Sequence, residues 1–157
     1  MWHKRILTSF VLVLVTLVGA QGAGLGLPEE VADYFRWERG NAQKSFEESA
    51  HPVAKDIYLN ELAAETARAS SFPYSADSTL IKERTDPETL QITTLYAMRK
   101  VAGFDPDNNN WEYGVFERED TGAFGGGWMS VADASGCIGC HQGAADTDYT
   151  FLSYLGE

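Results

Sequence analysis

Cysteine is scarce in this chain, whose 157 residues hold only Cys137 and Cys140. Two cysteines cannot build a disulfide framework, and they lack the second ligand pair that a structural zinc site needs. Histidine is nearly as rare, with His3, His51 and His141 alone, and beyond Met1 the only thioethers are Met98 and Met129. Basic side chains are few as well. Lys4 and Arg5 are the only charges before Glu29, so the chain beyond its first residues carries 10 basic and 23 acidic side chains, a net charge of −13. Such a surface repels phosphate backbones and argues against nucleic acid as a partner. It suits a basic redox partner or a small neutral or cationic ligand, and it also serves simply to keep an exported protein in solution. No internal repeat or low-complexity tract is present. The glycines of Gly122 to Gly127 lack the strand-to-helix context and the basic residue that phosphate binding requires.

What is present is concentrated near the C-terminus, in Gly136-Cys137-Ile138-Gly139-Cys140-His141. Two thiols separated by two residues lie one turn apart, so both can form thioethers with the two vinyl groups of one haem. The histidine after the second cysteine is then held beneath the iron as axial ligand. A redox dithiol prefers the start of a βαβ unit, and a zinc site needs more ligands; neither context is found. A plain Cys137–Cys140 disulfide stays open on residue grounds alone.

The N-terminus, Met1-Trp2-His3-Lys4-Arg5, is basic. An apolar block from Ile6 to Val18 follows, and then the small residues Gly19, Ala20, Gly22 and Ala23. Residues 1–23 read as an export signal peptide, and 24–157 as a single domain, large enough for one core. The block is shorter than the roughly 20 apolar residues of a spanning helix, which disfavours an uncleaved anchor, so no membrane association is expected after cleavage. Export fits the motif, because bacterial haem c attachment takes place outside the cytoplasm.

Along the domain, Pro28-Glu29-Glu30 predicts a helix start, with Val31, Tyr34 and Phe35 on its apolar face, Trp37 in the core and Gly40 as its stop. Ser45-Phe46-Glu47-Glu48 is a weak capping-box pattern. Val53 to Leu59 alternates as a strand, with Lys55 on the apolar side, and Asn60 caps a short helix to about Ala69. Thr79 to Thr85 is a strand with Leu80, Lys82 and Arg84 on one face and Ile81 on the other. Asp86-Pro87 turns the chain. Leu90 to Val101 and Trp111 to Arg118 form an antiparallel hairpin across the turn-rich Gly103 to Asn110, and Gly122 to Gly127 reads as a glycine-rich loop, letting the backbone pass close to a flat cofactor or staying mobile. The predicted class is α+β, an antiparallel sheet with a few short helices and haem c on the C-terminal Cys-x-x-Cys-His segment.

Several pieces resemble one family in this order. They are Asp56-Ile57-Tyr58-Leu59-Asn60 with the helix after it; Ser78-Thr79-Leu80-Ile81-Lys82-Glu83; Gly103-Phe104-Asp105-Pro106 with Trp111-Glu112-Tyr113; and Cys137 to His141 with Ala145-Asp146-Thr147-Asp148-Tyr149-Thr150-Phe151. From about Tyr34 to Tyr154 the chain is similar to the cytochrome P-460 family, whose relatives include the cytochromes c′-beta. The resemblance implies a mostly β, usually homodimeric periplasmic protein with one haem c, attached at Cys137 and Cys140 and ligated by His141, with its distal side open. In P-460 enzymes a Lys at the position of Lys82 is bonded to the haem edge and hydroxylamine is oxidised. In the c′-beta relatives no such bond forms, aromatic residues cap the distal side, and nitric oxide and carbon monoxide bind. Two departures bear on the enzyme reading. Lys55 stands where a hydroxylamine-oxidising relative has Arg, and the carboxylate expected soon after the axial histidine is replaced by Gln142-Gly143. Without a distal carboxylate a natural general base is missing, which leaves open whether the protein is an enzyme.

Among other residues, Met98 or Met129 as a sixth iron ligand would give a low-spin electron carrier instead, although both also read as core. His51, beside Pro52, reads as a surface or capping residue. Lys82 followed by Glu83 also fits an ordinary solvated pair. Tyr58, Phe72, Tyr74, Phe104 and Phe124 are candidates for an aromatic cap, and each also reads as ordinary core. Asp146 and Asp148 lack the further oxygen ligands of a calcium loop and read as turn or cap residues.

Overall fold

The computed structural model describes residues 25–46, 51 and 54–151, so the signal-peptide reading and residues 47 and 48 of the capping-box pattern lie outside the described residues. Six strands, β1 (Glu38–Arg39), β2 (Ala54–Leu59), β3 (Thr79–Thr85), β4 (Ile92–Lys100), β5 (Trp111–Arg118) and β6 (Phe124–Trp128), form one sheet. Strand order follows chain order, and every neighbouring pair is antiparallel. Helix α1 (Glu61–Ala69) joins β2 to β3, and α2 (Ser135–His141) follows β6. The expected α+β architecture with an antiparallel sheet and short helices is what the chain adopts.

Strand parity divides the core between two faces. Ile57, Leu59, Met98, Trp111 and Tyr113 meet Ala63 and Ala64 of α1, Tyr74, Ala134, and Ile138 of α2 on one face. On the other, Ile81, Leu95, Ala97, Phe116 and Phe124 pack against Leu27, Val31 and Tyr34. The N-cap of α1 is as expected. The Asn60 Oδ1 accepts from the Ala63 N–H at 3.0 Å and from the Thr79 N–H at 3.1 Å, tying the helix start to β3.

Three expectations need correction. The segment after Pro28 is not one helix; it makes two 3₁₀ turns, Glu29–Val31 and Tyr34–Arg36, before turning extended at Trp37 and entering β1. Val31 and Tyr34 are buried as expected, Trp37 packs half-buried on the second cluster, and Phe35 is exposed. Buried Val31 and Tyr34 are only three residues apart, so two short turns seat both without a continuous helix. Second, β4 begins at Ile92 rather than Leu90. The Asp86 carboxylate accepts from the Glu88 and Thr89 N–H groups, and Leu90 closes this turn at a φ of 58°.

Third, the glycine-rich stretch is largely strand β6, paired with β5 from Gly114↔Trp128 to Arg118↔Phe124. The glycines serve the sheet. Gly126 has a φ of +104°, and a Cβ there would run into the Val115 carbonyl oxygen. Across the pair, a Cβ on Gly114 would lie 2.8 Å from Cε3 of Trp128, so this position admits the indole only by lacking a side chain.

Candidate functional site

Helix α2 is pinned by residues four apart. Ala134, at its N-cap, and Ile138 are buried in the first core cluster, and Ala134 N–H bonds to the Ser130 carbonyl at 3.0 Å. That seating turns a second set, Cys137, Cys140 and His141, toward a cavity of about 280 Å³. Facing them across the cavity are side chains of the sheet. Ile57, Lys82, Tyr96 and Val115 form one cross-strand row, and Leu80, Met98 and Tyr113 the next.

His141 is held on three sides. Its Nδ1 donates to the Tyr149 carbonyl at 2.7 Å, which fixes the tautomer and leaves Nε2 as the lone-pair nitrogen. Tyr113 and Phe151 pack edge-on against the imidazole, each with ring centroids 5.3 Å away. Burial lowers its pKa, the Tyr149 bond raises it, and Lys82 lowers it further, with burial the largest effect. The ring is therefore kept neutral, the form that ligates metal. Cys137 and Cys140 are free thiols, half-buried and exposed respectively, and burial pushes Cys137 up. Among the described residues no cluster of histidine, cysteine and carboxylate side chains is arranged to hold a metal ion by itself.

Lys82 also lines the cavity, on the same wall as Tyr96. It is not half of a solvated pair with Glu83. Strand alternation sends Glu83 to the opposite face, where it is buried and accepts from the Tyr34 hydroxyl at 2.9 Å. Lys55, 1% exposed, lies beyond the cavity wall, opposite Arg84 on β3, with its backbone bridged to Ser45. Its charge still reaches Lys82. Burial first and Lys55 second hold the Lys82 amine down to about 8.

This shift has a signed consequence for the protein without cofactor. The unfolded amine keeps its ordinary value near 10.5, so between about 8 and 10.5 the unfolded chain binds more protons here and stability rises with pH. Below 8 both states are charged and the full cost of burial applies. The urea midpoint is expected to climb more steeply across this window in wild type than in Lys82→Met. Equal slopes would contradict a half-buried Lys82 amine with a lowered pKa.

His51 is not the surface or capping residue that its place beside Pro52 suggests. It lines the cavity, with its ring against Tyr96 at a centroid distance of 4.0 Å, and burial, Lys82, His141 and Lys55 together hold its pKa down to about 4. No local pattern around it signals this, because the partner ring comes from a strand 45 residues away. None of the five candidate aromatic caps lines the cavity. Tyr58 and Phe124 pack on the opposite face of the sheet, Phe72 and Tyr74 pack within the first core cluster, and Phe104 is outside the cavity wall. Aromatic walls come instead from Tyr96, Tyr113 and Phe151. Of the two methionines, Met98 is in the wall, and Met129 packs outside it against the first core cluster. Gln142 points to Asn108, its Nε2 donating to Oδ1 at 2.9 Å.

The residues present suit a flat, apolar, histidine-ligated group. The wall is mostly hydrocarbon and aromatic, a preset imidazole and two thiols converge on it, and the buried Tyr113 hydroxyl has no hydrogen-bond partner among the described residues. An antiparallel sheet that frames such a cavity, with a Cys-x-x-Cys-His helix facing it, defines a haem protein. The chain belongs to the cytochrome P460 family, whose sequence model matches residues 31–152, most of its length. Among curated proteins none matches it. No helix among the described residues is long and apolar enough to cross a membrane.

Proposed function

We propose that this protein is an exported, periplasmic haem c protein that binds small nitrogen ligands such as nitric oxide and hydroxylamine. The observation that carries the reading is the convergence of Cys137, Cys140 and His141 on one largely apolar cavity. In this reading Cys137 and Cys140 would hold one haem through two thioethers, and His141 Nε2 would ligate its iron. When bound, haem supplies one-electron redox chemistry and an iron site for a small ligand. The chain's own residues do the rest. Tyr96, Tyr113, Val115 and Phe151 exclude water. His51, kept neutral, offers a nitrogen that can accept a proton or hydrogen bond inside the cavity, a role for which this chain has Gln142-Gly143 rather than a carboxylate directly after His141. Lys82, with its lowered pKa, carries a larger fraction of neutral amine near pH 7 than an ordinary lysine, as bond formation to a haem edge requires. Hydroxylamine oxidation is the enzymatic form of this reading. A homodimer and a basic periplasmic redox partner complete it, the latter supported by the acidic balance of the chain.

Absorption spectra of the matured protein, oxidised and reduced, with and without nitric oxide, test the proposal. A high-spin reduced spectrum that changes with nitric oxide is expected; a strongly red-shifted, broadened Soret band would add the Lys82 bond. The second reading, an electron carrier, is kept by one observation, Met98 in the cavity wall. Sharp low-spin bands indifferent to nitric oxide would establish it instead. His51→Phe should weaken hydroxylamine binding about fivefold, the worth of one hydrogen bond of about 1 kcal/mol. Unchanged affinity would remove His51 from the ligand site.

A further inference from the structure

The segment that carries the partner of His141 is conformationally expensive. Asp148 and Tyr149 are consecutive non-glycine residues in the left-handed region, with φ of 52° and 67°. Such residues are strained, so two in succession persist only where neighbouring groups over-determine them. The neighbours are unusual in number. Asp148 is buried; its Oδ2 accepts from the Lys100 ammonium at 2.5 Å and from the Tyr74 N–H at 2.8 Å, and its Oδ1 accepts from Asn109 Nδ2 at 2.9 Å. Its carbonyl accepts from the Trp111 indole N–H at 2.8 Å. The next residue donates its N–H to the Ala144 carbonyl at 2.8 Å, and its own carbonyl takes the His141 Nδ1 proton. Lys100 in turn lies 4.6 Å from the Trp111 ring centre.

We infer that the buried Lys100–Asp148 pair is a positioning device for His141, setting through the strained Asp148–Tyr149 backbone the direction of the carbonyl that orients the imidazole. A buried ion pair is poor evidence for stability, because desolvating two charges offsets their attraction. Its use here is directional. The Asp148 carboxylate ties the 148–149 peptide to β4, the turn before β5 and the segment after α1, and its main-chain carbonyl ties it to β5, which restrains the direction of the Tyr149 carbonyl. Neither Lys100 nor Asp148 lines the cavity, and their hydrogen-bonded route to His141 runs through the Tyr149 carbonyl. Outer partners of this kind tune a metal-bound histidine by fixing its ring and its basicity.

The inference rests on the haem reading above, and the experiment separates the two. Haem-loaded wild type, Asp148→Asn, Lys100→Arg and the double variant Lys100→Met with Asp148→Asn are compared by the ferrous iron–histidine stretch, the reduction potential and thermal melting. Asp148→Asn keeps acceptors for Tyr74 and loses the charge; the double variant removes both charges, so no lone buried ion threatens the fold. Expected is a shifted iron–histidine stretch and potential in both, with wild-type values restored in Lys100→Arg. If both variants melt lower yet keep the wild-type stretch and potential, the pair is structural only and the inference is overturned. A wild-type protein with no iron–histidine band overturns the haem reading itself.

Discussion

His141→Ala is expected to abolish the normal axial spectrum while the haem stays attached through Cys137 and Cys140. The structure gives this substitution an unusually clean reading. The imidazole is neutral, its Nδ1 is already committed to the Tyr149 carbonyl at 2.7 Å, and Tyr113 and Phe151 flank it, so one nitrogen remains for a metal. Removing the ring leaves a ring-shaped gap between two aromatic walls and an unsatisfied Tyr149 carbonyl, a loss of about 1–3 kcal/mol in stability. Exogenous imidazole fits that gap and should restore the spectrum in large part. If His141→Ala keeps the wild-type spectrum without imidazole, another residue is the ligand and the assignment fails.

Trp111→Ala should be the most damaging core substitution, lowering stability by about 3–5 kcal/mol as measured by urea unfolding. Trp111 is fully buried, at 0% exposure, on the cavity-bearing face of the sheet. Its loss opens a cavity under Tyr74, whose ring centre is 5.5 Å away, and deprives Lys100 of the ring it lies against. It also leaves the Asp148 carbonyl without its indole donor. Against a typical total of about 5–15 kcal/mol this brings the domain close to unfolding. Trp111→Phe keeps most of the packing and loses the donor, so its cost should be smaller. A loss below about 1 kcal/mol for Trp111→Ala would contradict the central place of this residue.

Sequence and structure agree where a local pattern decides the outcome. β3 falls on the expected residues with strict period-two alternation, β5 does so because the turn-rich Gly103 to Asn110 marks its start, and α1 is capped by Asn60 because its side chain satisfies a helix N–H. The direction of Lys82 was legible in the same alternation. Its burial was not, since that depends on α2 and His51 closing over β3. β6 was hidden because three successive glycines have poor strand propensity, and the need for one of them, Gly126, lies in a φ of +104° and a close Val115 carbonyl that no local pattern reports. The 3₁₀ turns after Pro28 carry true helix-start signals but end within one turn, a length no capping pattern reports. The attachment motif was plain in five residues, whereas the strap that aims His141 was not. Asp148 reads locally as a turn residue, which it is, and its tie to Lys100 spans 48 positions.

Covalent attachment is the central claim, and acid–organic extraction of the purified, matured protein followed by intact mass measurement tests it most directly. The account predicts that the haem stays with the denatured polypeptide, adding the mass of one haem, and that it becomes extractable when Cys137 and Cys140 are both replaced by Ser. Haem that leaves the wild-type chain on extraction, or a mass equal to the polypeptide with a Cys137–Cys140 disulfide, would contradict it.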